Sequence, residues 1–252
     1  MKRATYLFLK RIMDLLLSIL GLLLTSPILL PVMFLVWRQD KHSPFYVAER
    51  VGKDFKPFKM VKLRSMIKNA DTTGVDSTSV NDMRITPIGQ LIRKYKLDEL
   101  TQLWNVFLGD MSLVGPRPNV KRETDLYTLE ERRLLSIKPG ITDFASIVFA
   151  DEGDILTDQK DPDVAYNQLI RPGKSRLGLF YLEVASLRTD IALLFLTVVA
   201  VLSRQKALAM NARYLRFIKA HEILIRVALR DSPLIPTPPP GSNSIVTSRD
   251  IN

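Results

Sequence analysis

An uncharged run of 23 residues near the amino terminus, residues 15–37, limits most strongly what this chain can fold into. Its length meets the requirement for a membrane helix, about 20 residues across a hydrocarbon core of roughly 30 Å. Basic residues flank the run on both sides, with Lys10 and Arg11 before it and Arg38 and Lys41 after it. The first part of the chain is therefore predicted to lie in a membrane.

Two prolines interrupt the pattern of this run. Ser26 and Pro27 stand in its middle, and Pro31 follows one turn later. Each proline removes a backbone donor and crowds the preceding turn, which kinks or breaks a helix. Each half would then have about 11 residues, or roughly 17 Å of helix, enough to reach the bilayer midplane. On the residues alone, a single span (or an uncleaved signal anchor) and a re-entrant hairpin both fit. The hairpin would keep both basic flanks on the cytoplasmic face.

Charge and composition exclude several classes of function. The chain carries a formal net charge of +10, and residues 1–64 hold twelve basic against four acidic residues. A basic end beside an apolar segment is attracted to an anionic leaflet by roughly 1 kcal/mol per cation, and nucleic acid is the rival partner. The absence of cysteine excludes disulfides and thiolate chemistry. His42 and His221 lack metal-ligand spacing, and no phosphate-binding glycine loop is present.

The rest of the chain is predicted to be mainly α with a few short strands, an α+β fold. Residues 44–66 alternate like strands, 71–82 resemble a mobile loop, and helical spacing begins at Pro87. The apolar stretch 191–202 is too short to span, so it is a core helix or one lying in the membrane interface.

Four segments are predicted from these patterns. Residues 1–40 form the membrane segment, and 41–206 form a compact cytosolic domain. Residues 207–231 form a basic amphipathic helix, suited to a membrane surface or to a solvated charged face. The proline-rich residues 232–252 form a disordered tail.

The candidate chemistry lies in Asp98, Glu99 and Arg117. Adjacent carboxylates can supply a nucleophile and a second group that binds metal or moves a proton, although an aspartate at a helix start is often only an N-cap. Arg117 stands between Pro116 and Pro118, which limit its backbone freedom. Such an arginine suits phosphate oxygens, and a structural turn beside a surface salt bridge would look similar.

Taken together, these motifs resemble the bacterial sugar transferase family, the monotopic phosphoglycosyl transferases that initiate surface polysaccharide and glycoconjugate assembly. The resemblance covers about residues 5–205 and implies that residues 41–206 are a catalytic sugar transferase domain. The matching stretches are Lys10-Arg11, Asp14, Ser26-Pro27, KLRSM at 62–66, RITPIG at 84–89, LDELTQLWNV at 97–106, GDMSLVGPRP at 109–118 and KPGIT at 138–142.

The resemblance implies a two-step transfer of a sugar-1-phosphate from a UDP-sugar to undecaprenyl phosphate, with release of UMP. By analogy, Asp98 would hold a covalent phosphosugar, and Glu99 would assist the second attack or position a metal. The family's Mg²⁺ would have Asp98 and Glu99 as tentative ligands. Arg117, Lys62, Arg64 and Arg93 would bind the substrate and spread the transferring charge; clustered cations are also common on solvated or lipid-facing surfaces.

The resemblance also places the chain in the cell. It favours a re-entrant helix broken at Ser26 and Pro27 over a spanning one, on the cytoplasmic face of a bacterial inner membrane. Membrane lipids, the UDP-sugar and undecaprenyl phosphate are the implied partners, nucleic acid is not, and a homodimer is left open. Asp143 and Phe144 stand where many relatives have glycine and tryptophan, which suggests the hypothesis that they influence sugar choice.

Three rival interpretations remain at this point. A membrane-anchored scaffold or binding protein would keep its function without Asp98. A membrane-anchored nucleic-acid binder would show salt-sensitive retention. A multispanning transferase of the same reaction is disfavoured, because only one segment has membrane length.

Overall fold

The computed structural model describes residues 3–70 and 82–248. The loop predicted for 71–82 therefore lies, apart from Asp82, outside the described residues. Described helices are α1 (Arg3–Asp40), α2 (Pro87–Lys94), α3 (Leu97–Leu100), α4 (Leu103–Leu108), α5 (Lys121–Asp125), α6 (Phe144–Val148), α7 (Glu152–Ile155), α8 (Pro162–Ala165), α9 (Arg171–Val184), α10 (Leu187–Leu202), α11 (Arg204–Phe217) and α12 (Glu222–Leu229). The strands are β1 (Phe45–Val51), β2 (Pro57–Leu63), β3 (Ser112–Val114) and β4 (Gly140–Thr142). The prediction of a mostly helical fold with a few short strands is confirmed.

The strands form two small separate sheets. β1 and β2 make an antiparallel hairpin, in which Val47 stands opposite Val61. β3 and β4 pair in parallel, with Ser112 opposite Gly140 and Val114 opposite Thr142. Neither sheet is large enough to be stable alone, so both depend on the helices packed around them.

Helix α1 runs without interruption through both prolines. Pro27 cannot donate to the carbonyl of Leu23, four residues earlier. The hydroxyl of Ser26 donates to that carbonyl instead, at 2.8 Å. Substitution of a side-chain donor for the missing backbone donor lets helical structure continue through a proline. The predicted division into two helices at Ser26 and Pro27 is therefore wrong; the pair lies within one helix.

Both halves of α1 pack on the same body. In its first half, every fourth residue is buried: Tyr6, Lys10, Asp14 and Ser18. In its second half, Leu29, Val32 and Val36 pack in one apolar cluster with Leu63 of β2 and Ile92 of α2. Among the described residues, α1 is the one helix that is long and apolar enough to cross a membrane, by length and composition.

The rest of α1 exposes a continuous apolar surface. Exposed side chains include Phe8, Leu16, Leu23, Leu24 and Phe34, of which Leu24 is 68% exposed. A contiguous apolar surface of this size marks an interaction site, for a membrane or another protein.

Helix α10 confirms the alternative of a core helix for residues 191–202, and its placement in a membrane interface stays a prediction. Leu193 and Leu196 are buried in the main core, whereas Phe195, Val198 and Val201 are exposed. One face of this helix is therefore a core element, and the opposite face is apolar and accessible.

The main core joins α4, β3, α6 and α9–α12, so no separate unit begins at residue 207. The predicted single amphipathic helix of 207–231 is wrong, because these residues form two helices, α11 and α12. Their apolar side packs in this core through Ala212, Leu215 and Ile225, which agrees with the alternative of a solvated charged face. The exposed basic residues Arg213 and Arg216 lie on the opposite side.

Residues 232–248 contain no helix or strand but lie against the body. The carbonyl of Pro240 accepts from Thr128 Oγ1 at 2.5 Å, that of Pro238 from Arg176 at 2.8 Å, and that of Val246 from Gln168 at 2.7 Å. The predicted disordered tail is therefore wrong for these residues. Prolines lack donors, and here the body supplies donors to the carbonyls of the extended segment.

A buried ion pair joins the start of α1 to the core. Lys10 Nζ donates to Asp190 Oδ2 at 2.8 Å, and Asp190 also accepts from Tyr6 at 3.0 Å and Tyr181 at 2.6 Å. In the same region, Asp14 accepts from the backbone N–H of Leu113 at 3.0 Å. This polar cluster fixes α1 relative to β3 and α9.

We expect Asp190→Ala to lower the free energy of unfolding by about 3–5 kcal/mol, because it leaves the Lys10 charge buried without its partner. The measurement is chemical denaturation in detergent, followed by tryptophan fluorescence. Asp125→Ala is the control, since its partner Lys121 is exposed, and it should change stability by less than about 1 kcal/mol. Equal effects of the two variants would contradict the assigned role of the cluster.

Candidate active site

The site is built on the free edge of β2. The side chain of Asn105 accepts from Val61 N at 2.9 Å and donates to Lys59 O at 2.7 Å, and Thr101 Oγ1 donates to Val61 O at 3.2 Å. These bonds satisfy strand groups that have no neighbouring strand. They also dock α3 and α4 against β2, so that residues of α3 lie beside Lys62.

Asp98 and Glu99 occupy the first turn of α3, which follows Lys96. Lys96 is the N-cap residue and has a left-handed backbone, with φ of 55°, which is unfavourable for a side chain of this kind. Asp98 is therefore not the N-cap that its position in the sequence allowed. Its Oδ2 atom lies 3.5 Å from Lys62 Nζ.

Arg117 reaches the same place from the loop after β3. Gly115 N donates to Thr142 O and Gly140 N to Pro116 O, both at 2.9 Å, which extends the β3–β4 pairing up to this loop. A Cβ atom on Gly140 would lie 2.1 Å from Gly115 N, so the close approach requires glycine. The loop directs Arg117 Nη2 to Glu99 Oε1 at 2.8 Å.

Charge interactions keep Glu99 ionised. Burial raises the pKa of Glu99, but Arg117, Lys62 and Lys96 together lower it to about 2. Glu99 in turn raises the pKa of Arg117, against burial. Burial and the nearby Arg117 lower the pKa of Lys62 more than Asp98 and Glu99 raise it. The site therefore holds two carboxylates among three cations, an arrangement suited to an anionic ligand.

Two further predicted substrate-binding residues have different surroundings. Arg93 donates to Ser65 Oγ at 3.0 Å, and burial lowers its pKa although Asp98 opposes this effect. Arg93 therefore lies within electrostatic reach of Asp98. The guanidinium of Arg64 instead binds both carboxylate oxygens of Asp40, at 2.5 and 2.7 Å, and ties the end of α1 to β2.

An open cleft connects these residues with a second wall that sequence reasoning missed. The cleft is lined by Asp98, Glu99 and Arg117 and also by Glu152 and Lys174. The sequence provides only a weak signal for these two residues, because neither Lys174 nor Glu152 lies in the stretches that match the family closely. Apolar residues of α1 and α10, namely Leu17, Val198 and Val201, line the same cleft.

The two residues proposed from sequence to influence sugar choice have structural contacts. Asp143 is buried and is the N-cap of α6, where it accepts from Ser146 N and Oγ at 2.6 and 2.7 Å. Phe144 is fully buried in the main core. Ser146, which Asp143 holds, does line the cleft.

Among the residues that the structure describes, Asp98 and Glu99 could hold a metal ion only together with other ligands. Within residues 3–70 and 82–248, no group of three or more His, Asp or Glu side chains could hold a metal ion. Asp98 and Glu99 can offer one or two carboxylates, which is the usual protein share when Mg²⁺ also binds substrate phosphates. The residues present therefore fit Mg²⁺ that is held jointly with a phosphate ligand.

Comparisons with known proteins agree with these motifs. The family model described as bacterial sugar transferase matches residues 5–204. The chain is 31% identical over 201 residues to a UDP-N-acetylgalactosamine-undecaprenyl-phosphate N-acetylgalactosaminephosphotransferase of Aeromonas hydrophila, covering 79% of this chain and 44% of that protein. It is 38% identical over 217 residues to a UDP-galactose-lipid carrier transferase of Erwinia amylovora, covering 79% and 42%.

A third relative is of more similar size. The chain is 34% identical over 207 residues to the exopolysaccharide production protein ExoY of Sinorhizobium fredii, covering 76% of this chain and 84% of that protein. By contrast, the chain spans less than half the length of the Aeromonas and Erwinia proteins.

Replacing Arg117 by methionine should raise the pKa of Glu99, because burial still opposes its charge and the strongest lowering interaction is gone. Since the pKa of Glu99 falls from 4.5 to about 2 on folding, the interaction stabilises the protein above pH 4.5 and is lost as pH falls toward 2. We therefore expect the stability difference between wild type and Arg117→Met to shrink over that interval.

Thermal unfolding in detergent at a series of pH values measures this difference. Arg226→Met, at an exposed position of α12, is the control and should show no such trend. A difference between wild type and Arg117→Met that is constant with pH would contradict the assignment.

Proposed function

Because this chain belongs to the bacterial sugar transferase family, we propose that it transfers a sugar-1-phosphate from a UDP-sugar to undecaprenyl phosphate and so initiates surface polysaccharide or glycoconjugate synthesis. The observation that carries the proposal is the carboxylate pair Asp98–Glu99 held between Lys62 and Arg117. The names of the Aeromonas and Erwinia relatives contain UDP-linked donors with different sugars. They support a UDP donor and leave the sugar open.

The first step uses Asp98 as the nucleophile. Its carboxylate oxygen forms a bond to the β-phosphorus of the donor, and the bond from that phosphorus to the oxygen bridging the α-phosphate breaks. UMP leaves with the bonding electron pair, and the sugar phosphate remains on Asp98. Lys62 and Arg117 stabilise the charge on the transferring phosphoryl oxygens, which is the main contribution a protein makes to such a transfer.

The second step returns Asp98 to its starting state. An anionic oxygen of undecaprenyl phosphate attacks the phosphorus, and the bond between that phosphorus and Asp98 breaks. The product is the undecaprenyl diphosphate sugar, and no net proton transfer is required when the acceptor oxygen is ionised. Glu99 remains charged because of Arg117, and its hydrogen bond from Arg117 holds the guanidinium in one orientation, toward the phosphoryl group.

Mg²⁺ is proposed as the cofactor, held by Asp98 or Glu99 together with the donor diphosphate. When bound, it would neutralise phosphate charge and favour departure of UMP.

The membrane placement is also proposed. A spanning helix would carry one half of α1 away from the cytosolic body, yet both halves of α1 pack on that body. Insertion of α1 from the cytoplasmic side alone, as one continuous helix with both halves held on the body, agrees with these contacts. The exposed faces of α1 and α10 would then lie in the lipid. This arrangement places the cleft at the cytoplasmic face of the inner membrane, within reach of the acceptor phosphate. Pairing of two copies stays a prediction.

We expect Asp98→Asn to abolish UMP release, because an amide cannot form the phosphosugar bond. The assay uses detergent-purified protein with Mg²⁺, undecaprenyl phosphate and a panel of UDP-sugars. Asp54→Asn is the matched control, since Asp54 is an exposed aspartate, and should keep wild-type activity. Release by Asp98→Asn at the wild-type rate would exclude the covalent mechanism, and no release from any donor by wild type would favour a scaffold.

Chelation of divalent cations should also stop UMP release, because the proposed Mg²⁺ would be removed. No described group of three or more side chains could hold the ion against a chelator. Added Mg²⁺ should restore the rate, whereas Na⁺ at equal ionic strength should not. Full activity after exhaustive chelation would remove Mg²⁺ from the proposal.

A further inference from the structure

A second charged pair lines the same cleft as the carboxylates. Lys174 of α9 forms an ion pair with Glu152 at the start of α7, and its Nζ atom lies 5.2 Å from the ring centre of Tyr166. Burial raises the pKa of Glu152, but Lys174 and Arg117 lower it by more. Arg117 is therefore close enough to interact with Glu152 and with Glu99, which places the second pair beside the proposed phosphate site.

The position of Glu152 depends on a clamp from the end of the chain. Asp151, its neighbour, accepts from Arg230 at 3.1 and 3.2 Å and lies 2.7 Å from Arg204. Arg230 also donates to the carbonyl of Val148 at 3.3 Å and lies over the ring of Phe149 at 5.4 Å. This one arginine therefore contacts three successive parts of the segment that leads to Glu152.

Arg230 holds an unusual backbone conformation. It follows α12 with φ of 51°, in the left-handed region where glycine is usual. Backbone strain of this kind persists where surrounding contacts determine it, and here those contacts are the bonds to Asp151 and Val148. Arg230 lies beyond residue 204, where the family match ends.

We propose that Glu152 and Lys174 form a subsite for hydroxyl groups of the donor, and that Arg230 positions this subsite through Asp151. The inference rests on the proposed function and names part of its donor site. It goes beyond the family match, because its positioning residue lies outside the matched range.

The charge of the pair indicates the kind of group that it binds. Lys62 and Arg117 attract phosphate, whereas Glu152 would repel it. A carboxylate accepts two hydrogen bonds from neighbouring hydroxyls, and an ammonium group donates to their oxygens. A site built to bind hydroxyls also discriminates strongly against donors in which a hydroxyl is missing or displaced. In a UDP-sugar, such hydroxyls belong to the sugar or to the ribose.

The experiment measures UMP release from UDP-glucose, UDP-galactose and UDP-N-acetylgalactosamine by the full chain in detergent. The variants are Glu152→Gln, Arg230→Met and Arg230→Lys, with Arg226→Met, on the helix that precedes Arg230, as the control. We expect Glu152→Gln to raise KM of the best donor about tenfold with little change in kcat, since the lost bonds are made by bound substrate. Arg230→Met should raise KM in the same way, and Arg230→Lys should restore part of the loss.

Binding of UMP, measured by calorimetry, separates the two sources of hydroxyls. If the subsite binds the sugar, Glu152→Gln changes the ranking of the three donors and leaves UMP affinity unchanged. If it binds the ribose, all three KM values rise together and UMP binds more weakly. Either result supports the subsite.

Other results would overturn it. An unchanged KM in Glu152→Gln would exclude the subsite, and an effect of Arg230→Met no larger than that of Arg226→Met would exclude the positioning role. Thermal unfolding identifies a variant that fails to fold. If Arg230→Met fails to fold, the KM of Arg230→Lys tests the positioning role instead. If wild type releases no UMP but Glu152→Gln weakens binding of a UDP-sugar, the proposed function fails and the subsite stands; if wild type binds no UDP-sugar, both fail.

Discussion

The side chains that complete the edge of β2 are the interactions on which the site depends. A two-stranded hairpin is marginally stable by itself, and the edge of β2 would present unpaired backbone groups. Asn105 and Thr101 bind those groups, and in doing so they fix the short helix α3 against the strand. Asp98 is held by this helix, and Lys62 by this strand. The distance between Asp98 and Lys62 is thus set by hydrogen bonds from the side chains of two other residues of the same ten-residue motif to the backbone of β2.

The balance of charge in the cleft also follows from a few shared partners. Arg117 interacts with Glu99 directly and with Glu152 through the cleft. A donor phosphate that binds Arg117 would compete with both carboxylates for the same guanidinium. Substrate binding would therefore alter the surroundings of the acidic pair and of the opposite wall at once.

Sequence reasoning located the residues of the site better than their contacts. The carboxylate pair Asp98–Glu99, Lys62 and Arg117 stand in motifs that are recognisable from the neighbouring residues alone, and the structure brings them together. Arg64 stands in such a motif too, but its partner Asp40 lies 24 positions earlier. That pairing depends on α1 remaining helical up to Asp40. Nothing in the local pattern around Glu152 indicates its place in the cleft, because that place depends on Asp151 and on Arg230 far along the chain.

The proline rule failed at Ser26 for a definable reason. The expectation that proline breaks a helix considers the backbone donor that Pro27 lacks. It does not consider the hydroxyl of Ser26, which donates to the carbonyl of Leu23 in place of this donor. The tail prediction failed similarly, because composition does not show that Thr128, Arg176 and Gln168 would supply donors to its carbonyls.

The attachment of α1 at both ends has a consequence for how the protein responds to its lipid. Lys10 binds the core near one end, and Asp40 binds Arg64 at the other. A free membrane helix adapts to a thicker or thinner bilayer by tilting, and this helix cannot tilt without moving the whole body. Trp37, with Lys41 Nζ 4.1 Å from its ring, is the kind of residue that anchors at the headgroups. Any change in the depth of α1 in the lipid would therefore raise or lower the cleft itself relative to the lipid phosphates.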